Sequence, residues 1–378
     1  MSKYKHIHGT SKNVRRVGRI DIPGGGQVTV VDKRAYIGHM GAPHGTTLLD
    51  VSDPKNIRTL SHIEIPEGVH THKVRAHGDI MVTNVERYGK GSTAQGGLKI
   101  YDVSNPAKPK EIAFFHATEA GVHRFDFDGR YVYFSPFMDG YRGNIVLIAD
   151  LNRPEKPEEV GRWWLPGQWT AGGETPDWEG TRHKCHHPLR MGDRLYVSYW
   201  LGGFVILDIS DMTRPRMLSH VDWSPPYPCP THTALPIPHE IRGRKFMAAT
   251  DEDVGDRLAS KPNGWFWMVD ITDETNPVPV STWSYPQDHD FDPNEWFGAH
   301  QPQEQVYDHN LLSLTWFAGG MRLLDISNPY RPEEVGHFVP EPGKGQTMVQ
   351  SNDVFMDSDG LIYLLDRFDG LEILEYTG

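Results

Sequence analysis

A phrase that recurs about every 50 residues constrains the fold of this chain more than any other feature. In each copy an apolar run ends in Asp, and an apolar residue, a polar residue and a turn follow, as in LLDVSDPKNIRTL and ILDISDMTRPRML. Four strands of about 5–6 residues with their turns fill such an interval. Seven copies therefore predict an all-β, seven-bladed β-propeller of four-stranded blades. The acidic residue of the phrase is Asp50, Asp102, Asp150, Asp208, Asp270, Asp325 and, in a truncated last copy, Glu375.

The two ends of the chain complement each other. The last copy stops before its fourth strand-like segment, and residues 13–22, NVRRVGRIDI, resemble that segment. A strand from the N-terminus that completes the last blade would close the ring and remove an open sheet edge. We therefore predict that residues 1–378 form a single propeller domain closed by the strand at 13–22.

Composition agrees with this fold and narrows the function. With 38 Gly and 29 Pro, the chain has the turn residues that many short strands require. A formal charge of −12 argues against nucleic acid as a partner, because nucleic-acid affinity rests on clustered Lys and Arg. No apolar run approaches the roughly 20 residues of a membrane span, and the N-terminus lacks the apolar core of a signal peptide. These features predict a cytoplasmic protein with no membrane partner.

The repeated phrase, written as hydrophobic-hydrophobic-Asp-hydrophobic-Ser-x-Pro-x-x-Pro, resembles the LVIVD-repeat proteins over nearly the whole chain. That resemblance implies a β-propeller and says little about chemistry. We interpret the repeated Asp and Ser as structural, because their side chains hydrogen-bond to nearby backbone amides in turns.

Histidines recur at one position of the repeat. His72, His123 and His186 each stand six residues before a turn glycine, and His232 and His300 precede longer turns at the same point. The first strand of each propeller blade lines the central channel, so these residues are predicted to form a ring that binds a divalent transition metal through neutral imidazole nitrogen. The alternative is a polar, water-filled channel without metal. In the other two blades the position is taken by Gln27 and by Gln350 or Asn352.

The second strand of each blade returns to the face of the histidine ring. Carboxylates there are predicted to accept imidazole N–H groups or to act in catalysis, and the candidates are Glu86, Glu240, Asp251, Glu252 and Glu304. Aromatic residues and one Arg could bind the substrate, although aromatics at strand ends can equally belong to the core. The predicted substrate-binding residues are Phe137, Tyr199, Trp200, Trp316, Phe317 and Arg367, with Trp163, Trp164 and Trp169 as further wall candidates.

Two long insertions, residues 163–182 and 284–299, precede ring histidines and are predicted to cover the ring face. Cys185 and Cys229 lie close to His186 and His232 in sequence. Simple packing, a disulfide and a soft metal ligand all remain open for these two cysteines.

A histidine ring on a propeller resembles the architecture of the carotenoid-cleaving oxygenases, in which four histidines hold Fe(II) with glutamates behind them. This chain lacks that family's flanking motifs and offers five ring histidines. The likeness implies a non-haem metal oxygenase or oxidase for a small apolar or aromatic substrate, with Fe(II) favoured and Mn, Zn or Cu as alternatives. A non-redox metal-dependent lyase or hydrolase is the second hypothesis. A non-catalytic propeller scaffold that binds a protein partner is the third.

Overall fold

The computed structural model describes residues 7–88, 94–118, 120–178, 183–224, 226–253, 263–286 and 296–378. Its regular structure is almost entirely β, arranged in seven antiparallel sheets, and the predicted all-β, seven-bladed β-propeller is confirmed. The one short 3-10 helix among these residues is Thr170–Gly172. No helix in the described part of the chain is long and apolar enough to cross a membrane.

The strands in chain order are β1 Ser11–Lys12, β2 Val14–Pro23, β3 Gly25–Val31, β4 Arg34–His39, β5 His44–Asp50, β6 Arg58–Glu64, β7 Val69–His70, β8 Val74–His77, β9 Ile80–Arg87, β10 Gly97–Asp102, β11 Lys110–His116, β12 Val122–Phe127, β13 Tyr131–Pro136, β14 Val146–Asp150, β15 Glu158–Trp163, β16 Cys185–Met191, β17 Arg194–Tyr199, β18 Phe204–Asp208, β19 Arg216–Val221, β20 Thr231–Pro236, β21 Phe246–Asp251, β22 Phe266–Asp270, β23 Val278–Trp283, β24 Leu311–Thr315, β25 Met321–Asp325, β26 Glu333–Phe338, β27 Ser351–Met356, β28 Leu361–Asp366 and β29 Asp369–Tyr376.

The chain forms two compact units. The first unit comprises Met1–Val28, Asp53–Ile57 and Cys229–Gly378. It contains the sheets β20–β23, β24–β26 with β1 at the edge, and β27–β29 with β2 at the edge. Strand β2 pairs antiparallel with β29, from Val14 opposite Tyr376 to Pro23 opposite Asp369, so the predicted closing strand is confirmed. The grouping of residues 1–378 into a single domain stays a prediction.

The second unit comprises Thr29–Ser52 and Arg58–Pro228. It contains the sheets β7–β11, β12–β15 and β16–β19 and most of the sheet β3–β6. Apolar residues from neighbouring sheets pack together; one cluster joins Val82 and Ile100 to Phe125 and Phe134. In the sheet β7–β11 the inner strand is split into two short strands, β7 and β8, and His72 lies between them.

Each of the six complete repeat phrases ends in the same turn. The Asp side chain accepts a hydrogen bond from the backbone N–H two residues later, at 2.7–3.0 Å. This contact satisfies an amide that the strand ladder leaves unpaired. The structural interpretation of the repeated acid is therefore confirmed. The six pairs are Asp50 with Ser52, Asp102 with Ser104, Asp150 with Asn152, Asp208 with Ser210, Asp270 with Thr272 and Asp325 with Ser327.

Candidate metal centre

The predicted ring positions coincide with irregularities in the inner strands. The pairing register of β12 with β13 shifts between Val122 and Phe125, which brackets His123. The same shift brackets His186 in β16 and His232 in β20. A β-bulge leaves one residue outside the ladder and re-aims its side chain, and bulges are common beside functional sites. The repeated histidines therefore sit where the fold turns a side chain out of the regular sheet pattern.

Side chains on the second strands satisfy the amides next to these bulges. Ser135 accepts a hydrogen bond from the backbone N–H of Arg124 at 3.1 Å, and Ser198 accepts one from His187 at 3.1 Å. In the split sheet, Asn84 Oδ1 takes this role for the N–H of Lys73 at 2.8 Å. Because a buried amide without a partner is costly, these three polar residues support the geometry of the histidines. Sequence analysis did not identify them.

Three of the predicted ring histidines come together in the second unit, and we call them the histidine arc: His72, His123 and His186. The ring centroids of His72 and His123 are 5.1 Å apart, and those of His123 and His186 are 5.0 Å apart. His72 and His186 are 4% and 3% exposed. Burial, with smaller contributions from neighbouring imidazoles and cations, lowers the pKa of His72 well below its usual value. Neutral imidazoles are the form that binds metal ions.

Glu86 on β9 connects this arc to a further histidine. Its Oε2 accepts a hydrogen bond from His123 Nδ1 at 2.8 Å and another from His70 Nε2 at 2.7 Å. Burial acts to raise the pKa of Glu86, but the two imidazoles outweigh it and hold that pKa below its usual range. The contact between Glu86 and imidazole N–H groups is the one that sequence analysis predicts.

Comparison of the repeats within the chain did not identify His70, because it selected one histidine per blade. It stands two residues before His72, and the two ring centroids are 4.0 Å apart. Residues at i and i+2 of an extended segment share a face, so the His-x-His pattern was the signal that could have identified it. His70 also stacks on Tyr88, with ring centroids 4.9 Å apart.

Two histidines and one glutamate of this cluster provide the nitrogen and oxygen atoms that metal sites use as ligands. His70, His72 and Glu86 each offer a ligand atom, and these atoms lie within 4.8 Å of one another. Because an ionised carboxylate only accepts hydrogen bonds, His70 presents N–H from Nε2, and in the neutral ring Nδ1 carries the lone pair. That Nδ1 is buried and has no hydrogen-bond partner within the described residues. A buried nitrogen lone pair beside a carboxylate is a suitable ligand for a divalent cation.

The first unit holds the other two predicted ring histidines. His232 and His300 have ring centroids 4.4 Å apart and are 1% and 3% exposed. Glu252 Oε2 lies 3.8 Å from His232 Nε2, close enough for an ion pair with a protonated ring and too far for a direct hydrogen bond. His300 Nδ1 hydrogen-bonds to the carbonyl oxygen of Asn352. Asn352 stands at the bulge of β27, which identifies it rather than Gln350 as the equivalent position of that sheet.

The remaining predicted acids are not placed beside the histidines in the described contacts. Asp251 is fully buried, where burial raises its pKa, and its Oδ2 accepts hydrogen bonds from Trp265 N and Trp267 Nε1. Glu304 accepts a hydrogen bond from Gln27 Nε2 at 2.9 Å. Gln27 takes the ring position in a blade that has no ring histidine. Glu240 is exposed in the turn after β20, whereas His232 stands near the start of that strand. The structure therefore places Glu240 beyond the end of β20 that lies opposite His232.

The predicted substrate-binding residues divide into two groups. Trp200 lies against His186 with ring centroids 4.7 Å apart, and Phe137 is 43% exposed on the same unit. In contrast, Tyr199 and Trp316 are 0% exposed and belong to the core, the alternative that sequence analysis left open.

In the first unit, Phe317 stacks on His300 with ring centroids 4.7 Å apart. The Arg367 guanidinium lies over Phe317 at 5.8 Å and over Trp296 at 5.2 Å. Phe317 and Arg367 therefore form one stack with His300, and Phe317 itself is 0% exposed.

Two open clefts of about 630 Å³ each lie in the second unit and share Phe137. One is lined by Trp200 and by Thr170 of the first long insertion, so this insertion contributes to a cleft beside the histidine arc. Residues 179–182 of that insertion and 287–295 of the second insertion lie outside the described residues. Cys185 and Cys229 are buried and form no disulfide, and Cys185 packs in the core with Tyr133 and Tyr199.

Comparison with known sequences agrees with the repeat analysis. The family described as LVIVD repeat matches residues 93–116 and 191–222. The chain is a β-propeller that carries LVIVD repeats. No curated protein sequence matches the chain.

Solved structures of similar fold come from proteins of unrelated description. A chain of the mitotic checkpoint complex has a TM-score of 0.61 at 9% identity, with 100% of this chain and 98% of that chain covered. The periplasmic gluconolactonase of Pseudomonas aeruginosa has a TM-score of 0.59 at 14% identity, with 88% and 92% covered. A streptogramin B lyase has a TM-score of 0.55 at 11% identity, with 96% and 97% covered. At these identities the likeness shows the fold alone.

Proposed function

We propose that this protein is a metal-dependent enzyme whose divalent transition metal is held by the histidine arc together with His70 and Glu86. The observation that carries the proposal is the single oxygen of Glu86 that accepts N–H groups from two imidazoles. This contact orients both rings and leaves their other nitrogens with lone pairs. Together with His72 and His186, it gathers four imidazoles and one carboxylate in one unit.

The favoured reaction class is oxidation or oxygenation of a small apolar or aromatic substrate, with Fe(II) as the metal. Two imidazoles with one carboxylate are the ligand set of many non-haem iron oxygenases. A bound redox metal would supply one-electron chemistry toward O2. The chain would supply orientation and shelter: Glu86 fixes His70 and His123, and Trp200 forms an apolar wall against His186.

A non-redox lyase or hydrolase is the second candidate. The His70, His72 and Glu86 donor set also matches the two-histidine, one-glutamate ligands of catalytic zinc sites. The fold is compatible with such chemistry, since a gluconolactonase and a streptogramin B lyase share it. Zinc or manganese would act here as a Lewis acid.

Elemental analysis of protein purified without a metal-affinity tag tests the proposal. We expect near-stoichiometric metal in the wild type, loss of that metal in His123→Ala/His186→Ala, and normal content in His220→Ala. His220 is a matched control because it lies in the same sheet as His186 but on the outer strand, where Nε2 bonds the carbonyl of Gly202. Circular dichroism of the three proteins establishes that they are folded.

The identity of the metal then separates the hypotheses. Iron or copper, with O2 uptake on aromatic substrates, supports the oxidase proposal, whereas zinc or manganese without O2 uptake supports the lyase or hydrolase. Absence of metal from folded wild type, even after reconstitution, would contradict both. In that case a scaffold that binds a protein partner is the better hypothesis. The cytoplasmic location stays a prediction.

A further inference from the structure

Three further histidines come together in the sheet β3–β6. His39 ends β4, His44 begins β5, and His62 lies on the outer strand β6. Their ring centroids are 5.3–6.0 Å apart. His39 is 0% exposed, whereas His62 lies on the surface. The described ring contacts of His44 and His62 are with each other and with His39, so these two rings are not members of the histidine arc. We call His44 and His62 the outer histidine pair.

The pairing of β5 with β6 explains why these two histidines meet. Thr47 on β5 stands directly opposite His62 on β6. The pairing register shifts after His44, at Gly45. A Cβ atom at Gly45 would lie 2.7 Å from a carbonyl oxygen of β6, so a larger residue would force the two strands apart. Because a bulge re-aims the side chains beside it, this irregularity brings the His44 ring to the His62 ring.

The two facing ring nitrogens have the separation of two ligands of one metal ion. His44 Nδ1 and His62 Nε2 are 3.3 Å apart. This distance is longer than the most common N–H hydrogen bonds, which span about 2.9–3.0 Å. In a tetrahedral zinc site, Zn–N bonds of about 2.0–2.1 Å place two nitrogen ligands about 3.3–3.4 Å apart. The outer histidine pair therefore matches the edge of a tetrahedral site without movement of either ring.

Thr47 holds the His62 ring from behind. Its Oγ1 lies 2.7 Å from His62 Nδ1 and 2.6 Å from His39 Nε2. A hydroxyl has one proton to donate, so Thr47 donates to one ring and accepts from the other. When it donates to His39, His62 presents N–H at Nδ1, and the lone pair of its neutral ring is at Nε2, beside His44. A hydrogen bond of this kind to the far nitrogen orients imidazoles that bind metal ions.

The surroundings of the outer histidine pair favour a cation from solvent. Partial burial, followed by repulsion from His44, lowers the pKa of His62. The ring is therefore neutral near pH 7, in the form that binds metal ions. Glu64 stands opposite His44 in the strand pairing, and its carboxylate brings negative charge close to the two rings. Because His62 is exposed, water can reach the remaining coordination positions.

We propose that the outer histidine pair binds one divalent transition-metal ion, with His44 Nδ1 and His62 Nε2 as ligands and water in the other positions. Zn²⁺ fits the separation of the two nitrogens. The site is additional to the metal centre of the proposed function and does not depend on it. A metal ion held there joins β5 to the outer strand β6 and exchanges with solvent, since His62 is exposed.

Titration of the purified protein with Zn²⁺, followed by isothermal calorimetry, tests the site. We expect His44→Ala and His62→Ala each to weaken one Zn²⁺ binding event at least about tenfold, because loss of a ligand costs no less than loss of its outer hydrogen-bond partner. The metal that the protein holds as purified should be unchanged in both variants. His116→Ala is the matched control: His116 is also exposed on the outermost strand of its sheet, and its described ring contact is with Phe114.

Thr47→Val and Thr47→Ser test the hydrogen bonds behind His62. Valine keeps the shape of threonine but removes the hydroxyl, so His62 loses the contact that orients its ring. We expect Thr47→Val to weaken the same binding event about 10–100-fold, and Thr47→Ser, which retains the hydroxyl, to bind Zn²⁺ nearly as wild type does. Circular dichroism establishes that both variants are folded, since Thr47 is buried.

The variant His123→Ala/His186→Ala separates this inference from the proposed function. Zn²⁺ binding that persists in it and is lost in His44→Ala and His62→Ala supports the outer histidine pair, even in a protein whose proposed centre holds no metal. Equal Zn²⁺ binding by wild type and by both outer-pair variants would overturn the assignment. A binding event that is lost in His123→Ala/His186→Ala and retained in both outer-pair variants would also overturn it, and would assign the Zn²⁺ to the proposed metal centre.

Discussion

Glu86 decides which nitrogen of each neighbouring imidazole is available to a metal ion. As a carboxylate it can accept hydrogen bonds but cannot donate them, so His70 and His123 must both present N–H to its Oε2. Their opposite nitrogens then carry lone pairs. The roles of the two histidines at the proposed centre therefore depend on the charge of this one carboxylate.

Replacing Glu86 with Gln tests this dependence. The amide oxygen can take the place of Oε2 and accept from both imidazoles, but it carries no charge, so both hydrogen bonds are weaker than those to the carboxylate. We expect metal affinity to fall about 10–100-fold, the usual cost of losing a carboxylate partner of a metal-binding histidine. Competition with a chromophoric chelator measures the change for Zn²⁺ and Fe²⁺.

Glu111→Gln provides the comparison for that experiment. Glu111 lies in the same sheet, is partly exposed and pairs with Lys99 on the outer side. Its replacement should leave metal affinity unchanged. If Glu86→Gln and Glu111→Gln bind metal equally well, Glu86 has no part in the centre.

Single residues show how far sequence reasoning reaches. His72, His123 and His186 could be aligned because the repeat supplies a register, and the structure places their rings side by side. Tyr199 and Trp316 were grouped with Trp200 because all stand at strand ends. Whether a strand-end aromatic faces a cleft or the core depends on the neighbouring blade, which the local sequence does not specify.

At the level of strands, the bulges are what present the histidines. In a regular strand, alternate side chains point to opposite faces, and an extra residue breaks that alternation. The extra residue also leaves backbone N–H groups without ladder partners, and the Ser135 and Ser198 hydroxyls accept from two of them. The bulge on the inner strand and the serine hydroxyl on the second strand therefore act together as one structural unit.

Ser198→Ala should destabilise the protein by about 1–3 kcal/mol, because the buried N–H of His187 loses its acceptor. Ser219→Ala is the matched control: Ser219 lies in the same sheet and is buried, but its Oγ makes no hydrogen bond within the described residues. Its replacement should change stability by less than about 0.5 kcal/mol. Urea unfolding followed by tryptophan fluorescence measures both, and equal destabilisation would show that the hydroxyl contact has no special role.

Strand irregularities were the least predictable elements. The period of the repeat gives the number of strands per blade but not their pairing register. In the sheet of β24–β26, the innermost segment carries Pro302, which has no N–H to donate, and it makes only isolated contacts there, such as Gln303 N to the carbonyl of Ser313. Strand β1 adds to the outer edge of that sheet instead. Neither feature follows from the repeated phrase.

For the whole molecule, the repeated phrase is both the reason that the fold was predictable and a shared stabilising device. Each copy ends a strand with an Asp that accepts a backbone N–H, and the same contact occurs in all six complete phrases. The repeated phrase did not predict the function, because the phrase lies away from the histidines of the proposed site. Repetition identifies the architecture and the register of the ring histidines, whereas His70, which also contacts Glu86, stands outside that register.

Two of these turns, those of Asp50 and Asp208, also give the molecule a defined response to acid. Hydrogen bonds from Ser210, followed by the Arg216 contact, lower the pKa of Asp208 to about 2, and Ser52 and Arg58 lower that of Asp50 to about 2. An unfolded Asp titrates at about 4. Because the folded pKa is the lower one, the stabilisation is complete above about pH 4 and is lost as the pH falls toward 2.

The double variant Asp50→Asn/Asp208→Asn tests this assignment. Asn keeps a carbonyl oxygen for the turn amide but carries no charge, so its contribution should not depend on pH. We expect the variant to be less stable than wild type at pH 6, and the difference to shrink between about pH 4 and pH 2, where the wild-type carboxylates become protonated. Urea midpoints measured across this range provide the comparison. A difference that stays constant with pH would show that the turns stabilise the blades through geometry alone and that the carboxylate charge contributes nothing.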